Sequence, residues 1–295
     1  MISKGAGMSG RGGLGLCGWS VDRDDARRGI EVAAELGLRH VQVGFFSCES
    51  LQRVDAAALT RVAAQSGVTL VGLFVGFEDE DYSSIQRIRE TGGFVNAEMF
   101  EPRWAVLQKA ADVAAAIGCR SVAIHAGVIP DDPAAGSRRA LRERILRVAA
   151  TLKARGLRLL LETGAEPAAT LLDFVDALEV DNVGIGFDPA NLVIYGTGDP
   201  VDAVKRLRGR IEVVHLKDAR RSASPGTAFG ERAPFGAGDV QIPRLVSKLR
   251  ASAYDGPMLL DVDARREGGA ALREAVSFMD SLVGGPGERW GVGPP

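Results

Sequence analysis

Short apolar runs rich in leucine and β-branched residues alternate with longer amphipathic stretches along the chain, and they do so eight times. The runs are LGLCGW, RHVQVGF, VTLVGLF, SVAIHAG, LRLLLET, NVGIGFD, EVVHLKD and PMLLDVD. Near-continuous apolar runs of this length predict strands covered on both faces, as in parallel sheets. The stretches between them, such as DRDDARRGIEVAAELG and EPRWAVLQKAADVAAAIGC, predict helices. In the second, Trp104, Leu107, Ala111 and Gly118 recur at helical spacing and form a sheet-facing stripe. Pro102 and Pro167 each follow a glutamate and are expected at helix starts, where a missing N–H costs nothing. Gly37, Gly118 and Gly156 are expected to close helices as left-handed caps just before the next strand.

Eight strand–helix units over residues 14–283 predict one α/β domain, a single (β/α)8 TIM barrel, with loose tails at 1–13 and 284–295. No G-x-G-x-x-G follows the first strand and no G-x-x-x-x-G-K-[ST] occurs, so a nucleotide-binding sheet lacks its sequence support. Three long connections, Gly76 to Glu101, Gly127 to Ala135 and Ala219 to Val240, all follow strands. In a barrel they land on the catalytic face, and the third, rich in Gly, Pro and Ser, is expected to be a mobile lid.

A net charge of −2 and a pI near 6.0 give no sign of attraction to nucleic acid or membrane. Three cysteines without a C-x-x-C spacing argue against a disulfide framework and for a reducing compartment. The Gly-rich N-terminus has no apolar core of a signal peptide, and no run reaches the length of a membrane span. A cytoplasmic location is the expectation.

Four polar residues interrupt the apolar runs: Glu162 in LRLLLETG, Asp188 in VGIGFDPAN, His215 in IEVVHLKD and Asp261 in GPMLLDVDA. A charged group there is costly unless it is paired or binds a metal. Glu162, Asp188 and His215 are spaced 26 and 27 residues apart, about one strand–helix repeat, so their side chains can converge at one barrel mouth. Carboxylates with one imidazole make a hard-to-borderline metal site. An aspartate before proline is often a simple turn residue, and a lone histidine in a strand is often only hydrogen-bonded; the shared spacing favours function for both. His125 ends SVAIHAG in the same way and is expected to orient substrate, while His40 opens its strand at the opposite face and is expected to be structural. Lys217 adds a polar group beside His215 and is expected to contact substrate. Asp261 and Asp263 point to the same side of their strand, so either can be the fourth ligand; Asp261 fits the depth of the other three better.

From Gly72 to Arg265 the chain resembles the sugar phosphate isomerase/epimerase family, whose fold is the xylose isomerase-like TIM barrel. The resemblance rests on ETGGF (Glu90–Phe94), HAGVIP (His125–Pro130), LLLETG, FDPANLVIYGTGDP (Phe187–Pro200), VVHLKDA, PFGAGDV and YDGPMLLDVDA. It implies one divalent ion, Mn2+ first and Mg2+, Co2+ or Zn2+ as alternatives, on Glu162, Asp188, His215 and Asp261. It also implies substrate contacts from Arg221, six residues after the metal histidine, and from Asn191, which stands where related ketose epimerases carry a histidine. Three departures leave the substrate open. Leu-Asp-Val-Asp replaces the usual Ile-Glu-Arg-Glu, Gly-Ala-Gly (Ala237) replaces Gly-Glu-Gly, and Asn191 replaces that histidine.

The expected activity is therefore a metal-dependent isomerase or epimerase of a sugar or keto-sugar, working by proton abstraction through a metal-bound enediolate. Glu162 and Asp261 would be the acid–base pair. A dehydratase of the inosose type and a non-catalytic sugar- or metal-binding barrel are the alternatives. A DNA-repair endonuclease of the same superfamily would need a multinuclear zinc site with several histidines, and this chain has three histidines in all. The expected partner is a small carbohydrate, with no nucleic acid and no membrane; the family's habit implies a homo-oligomer.

Overall fold

The computed structural model describes residues 13–282; the expected tails lie outside the described residues apart from Gly13. Eight of its ten strands close a parallel barrel: β1 (Leu14–Cys17), β2 (His40–Phe45), β3 (Thr69–Val75), β4 (Ser121–Ile124), β5 (Arg158–Glu162), β6 (Val183–Phe187), β7 (Ile211–Leu216) and β10 (Met258–Leu260). Neighbours pair in chain order, and β1 closes the ring by pairing with both β2 and β10. Each predicted apolar run supplies one of these strands. The last is shorter than its run, because Asp261 lies just beyond it.

Alternation along the strands divides the buried side chains between two cores. Outward residues such as Leu16, Val43, Leu73, Leu161, Ile185 and Val214 pack against the surrounding helices. Inward ones (Cys17, Phe74, Ala123, Leu160, Val213 and Leu259) fill the barrel with Trp19. Gly44 on β2 makes room for that indole; a Cβ there would lie 2.5 Å from Trp19 Cε3. Gly37, Gly118 and Gly156 all have positive φ after their helices, as expected of left-handed caps.

Two local expectations are corrected. Pro102 does not open a helix, since the helix spans Ala97–Ala116 and encloses it. Asn96 wins the start because its side chain accepts the Glu98 N–H, and the proline is accommodated in the second turn. On that helix Leu107 and Ala111 are buried as expected, and Arg103 joins them, bonding to the carbonyls of Thr91 and Gly93 and pairing with Asp79. The 219–240 connection, expected to be irregular, carries secondary structure of its own. Its ends form an antiparallel ribbon, β8 (Asp218–Arg220) with β9 (Glu231–Ala233). Asp218 holds the following turn by accepting the N–H groups of Gly236, Gly238 and Val240.

Candidate functional site

Glu162 is the last residue of β5, Asp188 directly follows β6, His215 is the penultimate residue of β7, and Asp261 directly follows β10. All four are buried at the C-terminal mouth. Ligand atoms of Glu162, Asp188 and His215 lie within 4.8 Å of one another. Asp261 is not part of that group. Its Oδ1 accepts from Ser20 Oγ at 3.1 Å and its Oδ2 from Arg232 Nη2 at 2.9 Å.

Each side chain of the trio is held by a specific contact. His215 Nδ1 is 2.6 Å from Glu162 Oε1, and its Nε2 is 2.6 Å from Gln42 Oε1 on the opposite wall. With Nε2–H donated to an amide oxygen, Nδ1 is the nitrogen left to face an ion, the usual tautomer lock of a metal-ligating histidine. Asp188 is both a turn residue and a site residue. Its Oδ1 caps the helix Pro189–Tyr195 through the N–H groups of Ala190 and Asn191. Its Oδ2 is 2.6 Å from Lys217 Nζ, an ion pair lacking hydrogen-bond geometry, so this buried oxygen makes no hydrogen bond. Thr163 ties the ends of β5 and β6 together, its Oγ1 donating to Asp188 O and accepting from Asp188 N, both at 2.8 Å. Asn191 adds a bond from its Nδ2 to Thr163 O at 2.9 Å.

His125 Nε2 lies 2.8 Å from Glu162 Oε2, so the carboxylate sits between two imidazoles. Burial opposes the charge on all these groups, yet the mutual attraction outweighs it. Desolvation favours neutral His125, but the Glu162 carboxylate lifts its pKa to about 9. His215 is raised for the same reason, and Glu162, flanked by both rings, falls well below the usual carboxylate range. Asp188 is different, because desolvation pushes its pKa up despite Lys217. Lys217 is raised by Asp188 and Asp261 against its own desolvation. Asp261 is lowered, chiefly by Arg232 and then Lys217, again against burial. Charges this crowded at a barrel mouth make these residues the candidate site, since a buried ion cluster adds little to stability.

A cavity of about 480 Å³ opens above these groups, with His125, Glu162, Lys217 and Asp261 in its wall beside Trp19, Phe46, Phe74 and Phe77. That volume suits a small molecule. Arg221 is not in this wall. Its guanidinium lies near Gly198 O and Asp199, and its backbone N–H is bonded to Asp239. Gln42 is the residue that sequence reasoning missed; its only signal was a polar residue at an inward position of RHVQVGF. Arg232 was equally hidden, in a stretch expected to be irregular loop.

The chain is thus a closed parallel (β/α)8 barrel whose C-terminal mouth brings together two carboxylates and an imidazole that could hold a cation under a small-molecule cavity. Residues 30–282 match the xylose isomerase-like TIM barrel family, and the chain belongs to it. Among curated relatives, a "Probable endonuclease 4" of Mycobacterium ulcerans (strain Agy99) is 30% identical over 190 residues, 60% of this chain and 71% of that protein. Among solved structures, a xylose isomerase domain protein from Planctomyces limnophilus superposes with a TM-score of 0.77 at 28% identity, covering 86% of this chain and 90% of that one. A D-allulose 3-epimerase from Methylomonas sp., in complex with D-allulose, gives 0.68 at 17% identity over 92% and 98% of the two chains, a likeness of fold.

Proposed function

We propose that this protein is a divalent-metal-dependent isomerase or epimerase that moves a proton next to the carbonyl of a sugar or keto-sugar. The observation that carries the reading is the convergence of Glu162, Asp188 and His215 under one cavity. The donor set fits an ion: His215 has its other nitrogen occupied by Gln42, and the buried Oδ2 of Asp188 meets only a cation, the Lys217 ammonium at 2.6 Å, in a contact without hydrogen-bond geometry. One imidazole with two carboxylates suits Mn2+, with Mg2+, Co2+ and Zn2+ as alternatives. It is also far from the histidine-rich multinuclear zinc site that a DNA-repair relative needs. When bound, the ion supplies Lewis acidity toward a substrate carbonyl and stabilises charge created by proton removal.

The rest of the chemistry belongs to the protein. Glu162 is ionised at neutral pH and is in the cavity wall, so it serves as the base. His125, protonated beside Glu162 Oε2, holds that carboxylate in place and offers its own proton to a substrate oxygen. Lys217 brings an ammonium to the same wall, beside the rings of Trp19 and Phe74. Asp261, in the same wall, relays to the other side a proton taken from the Lys217 ammonium, whose Nζ lies 3.7 Å from its Oδ2. Return to the opposite face of the same carbon gives an epimer, and return to the neighbouring carbon gives an isomer.

The test is deuterium uptake from D2O into D-allulose, D-tagatose and D-fructose by protein loaded with Mn2+. Exchange is expected, with a loss on the order of 10²–10⁴-fold in Glu162→Gln. A lack of exchange across a wider panel of keto-sugars and keto-acids would refute the proton-transfer reading.

A further inference from the structure

The cavity above Glu162 has a neighbour. A second cavity, of about 440 Å³, opens between the starts of the helices Ala26–Glu35 and Ala56–Ser66. It meets the first along Asp24 and Ser50, which line both. The segments after β1 and β2 build the junction: Trp19 and Phe46 stand on the side of the reacting groups, and Arg27, Arg53 and Asp55 on the other. Each volume suits a small molecule of its own. One hexose over Glu162 therefore leaves the second cavity to something else.

The wall of the second cavity suits hydroxyls better than a net charge. Three carboxylates, Asp24, Asp25 and Asp55, stand with two guanidiniums, Arg27 and Arg53. Arg27 pairs with Asp25 at 3.3 Å and Arg53 with Glu49 at 3.0 Å, so neither is an open anion site. Each guanidinium still has more N–H donors than one partner uses. Asp55 accepts the Ala58 N–H with Oδ1 alone, and the Asp24 carboxylate makes no hydrogen bond or ion pair with any described residue. Phe45, Val54 and Leu59 supply the apolar part of the wall. A sugar ring carries hydroxyls around its edge and C–H bonds on its faces. Donors and acceptors set around an apolar patch match that pattern.

We propose that the substrate is a keto-sugar joined through an oxygen to a second polyhydroxylated ring, a keto-glycoside, with the keto unit over Glu162 and the second ring in the cavity lined by Arg53 and Asp55. Asp24 and Ser50, common to both cavities, flank the linkage. The inference rests on the proposed reaction only for which unit lies over Glu162. Two or three hydrogen bonds to charged groups in the second cavity are expected to favour such a ligand by roughly 10–100-fold over the keto-sugar alone.

The test measures calorimetric affinity of the full-length protein, loaded with Mn2+, for D-fructose and for the keto-disaccharides turanose, leucrose and isomaltulose. These present the same keto unit with a second ring attached at different positions. At least one disaccharide is expected to bind about ten times more tightly than D-fructose. That advantage is expected to disappear in Ala58→Phe, whose ring fills the second cavity, and to shrink in Arg53→Ala. Arg53 is exposed, so its variant tests recognition rather than folding. D-fructose binding as tightly as every disaccharide, or an advantage that survives both substitutions, would overturn the proposal. Deuterium uptake from D2O, read on the same ligands, separates the two readings. Disaccharide preference without exchange removes the proposed reaction and leaves the second cavity as a sugar site. Exchange into D-fructose without that preference does the reverse.

Discussion

Gln42 on β2 accepts the Nε2 proton of His215 on β7 at 2.6 Å, across the inside of the barrel. That bond selects which imidazole nitrogen faces Glu162 and Asp188. Replacing it with Gln42→Leu leaves a buried N–H without a partner and frees the ring to turn. Affinity for Mn2+ is expected to fall roughly 10–100-fold, the usual effect of losing such an orienting partner. Calorimetric titration of wild type and variant checks it; unchanged affinity would mean that His215 is not an ion ligand.

Ion binding must also release protons. In the metal-free protein the Glu162 carboxylate raises the pKa of His215 against its desolvation, so the ring holds a proton that an ion on Nδ1 displaces. Affinity should therefore increase as the pH rises through neutrality, by up to about tenfold per pH unit for each proton released. Titrations in buffers of different ionisation enthalpy count those protons, and a pH-independent affinity would contradict the assignment.

Asp261 and Asp188 should separate cleanly. Asp188 belongs to the converging trio, whereas Asp261 is engaged by Ser20 and Arg232. Asp188→Ala is expected to abolish stoichiometric Mn2+ binding. Asp261→Ala is expected to retain one ion per chain with less than about a tenfold loss, a bound set by the one displaced charge. Elemental analysis of both variants after dialysis decides the point. Equal damage would make Asp261 the fourth ligand that the sequence suggests.

Glu166 is buried beside the site, with one oxygen bonded to Gly164 N–H and the other unpartnered. Burial raises its pKa from 4.5 to about 7. The folded protein therefore keeps a proton that the unfolded chain gives up across that window, so stability declines as the pH climbs from 4.5 to 7. Glu166→Gln removes this cost and should stabilise the protein at pH 8 by up to the order of 3 kcal/mol, with the gain vanishing near pH 4.5. Urea unfolding of both proteins at the two pH values is the measurement, and a gain independent of pH would contradict the account.

What the sequence by itself determined is what local periodicity encodes. Apolar runs of six or seven residues, caps such as Gly37 and Gly118, and polar residues at run ends are consequences of backbone geometry within a single strand–helix unit. They placed the eight strands, and repeat spacing alone brought Glu162, Asp188 and His215 to one mouth. Tertiary structure decided which partner each group meets. Gln42 and His215 are 173 residues apart and become neighbours only when the barrel closes. Arg232 reaches Asp261 because β9 pairs with β8, and no spacing rule gives the direction of that ribbon. Arg221 leans toward Gly198 and Asp199, out of the cavity wall where an epimerase-like reading places it. Periodicity fixes which side of a strand a residue takes; the charge it finally faces depends on distances between distant segments, and those exist only after packing.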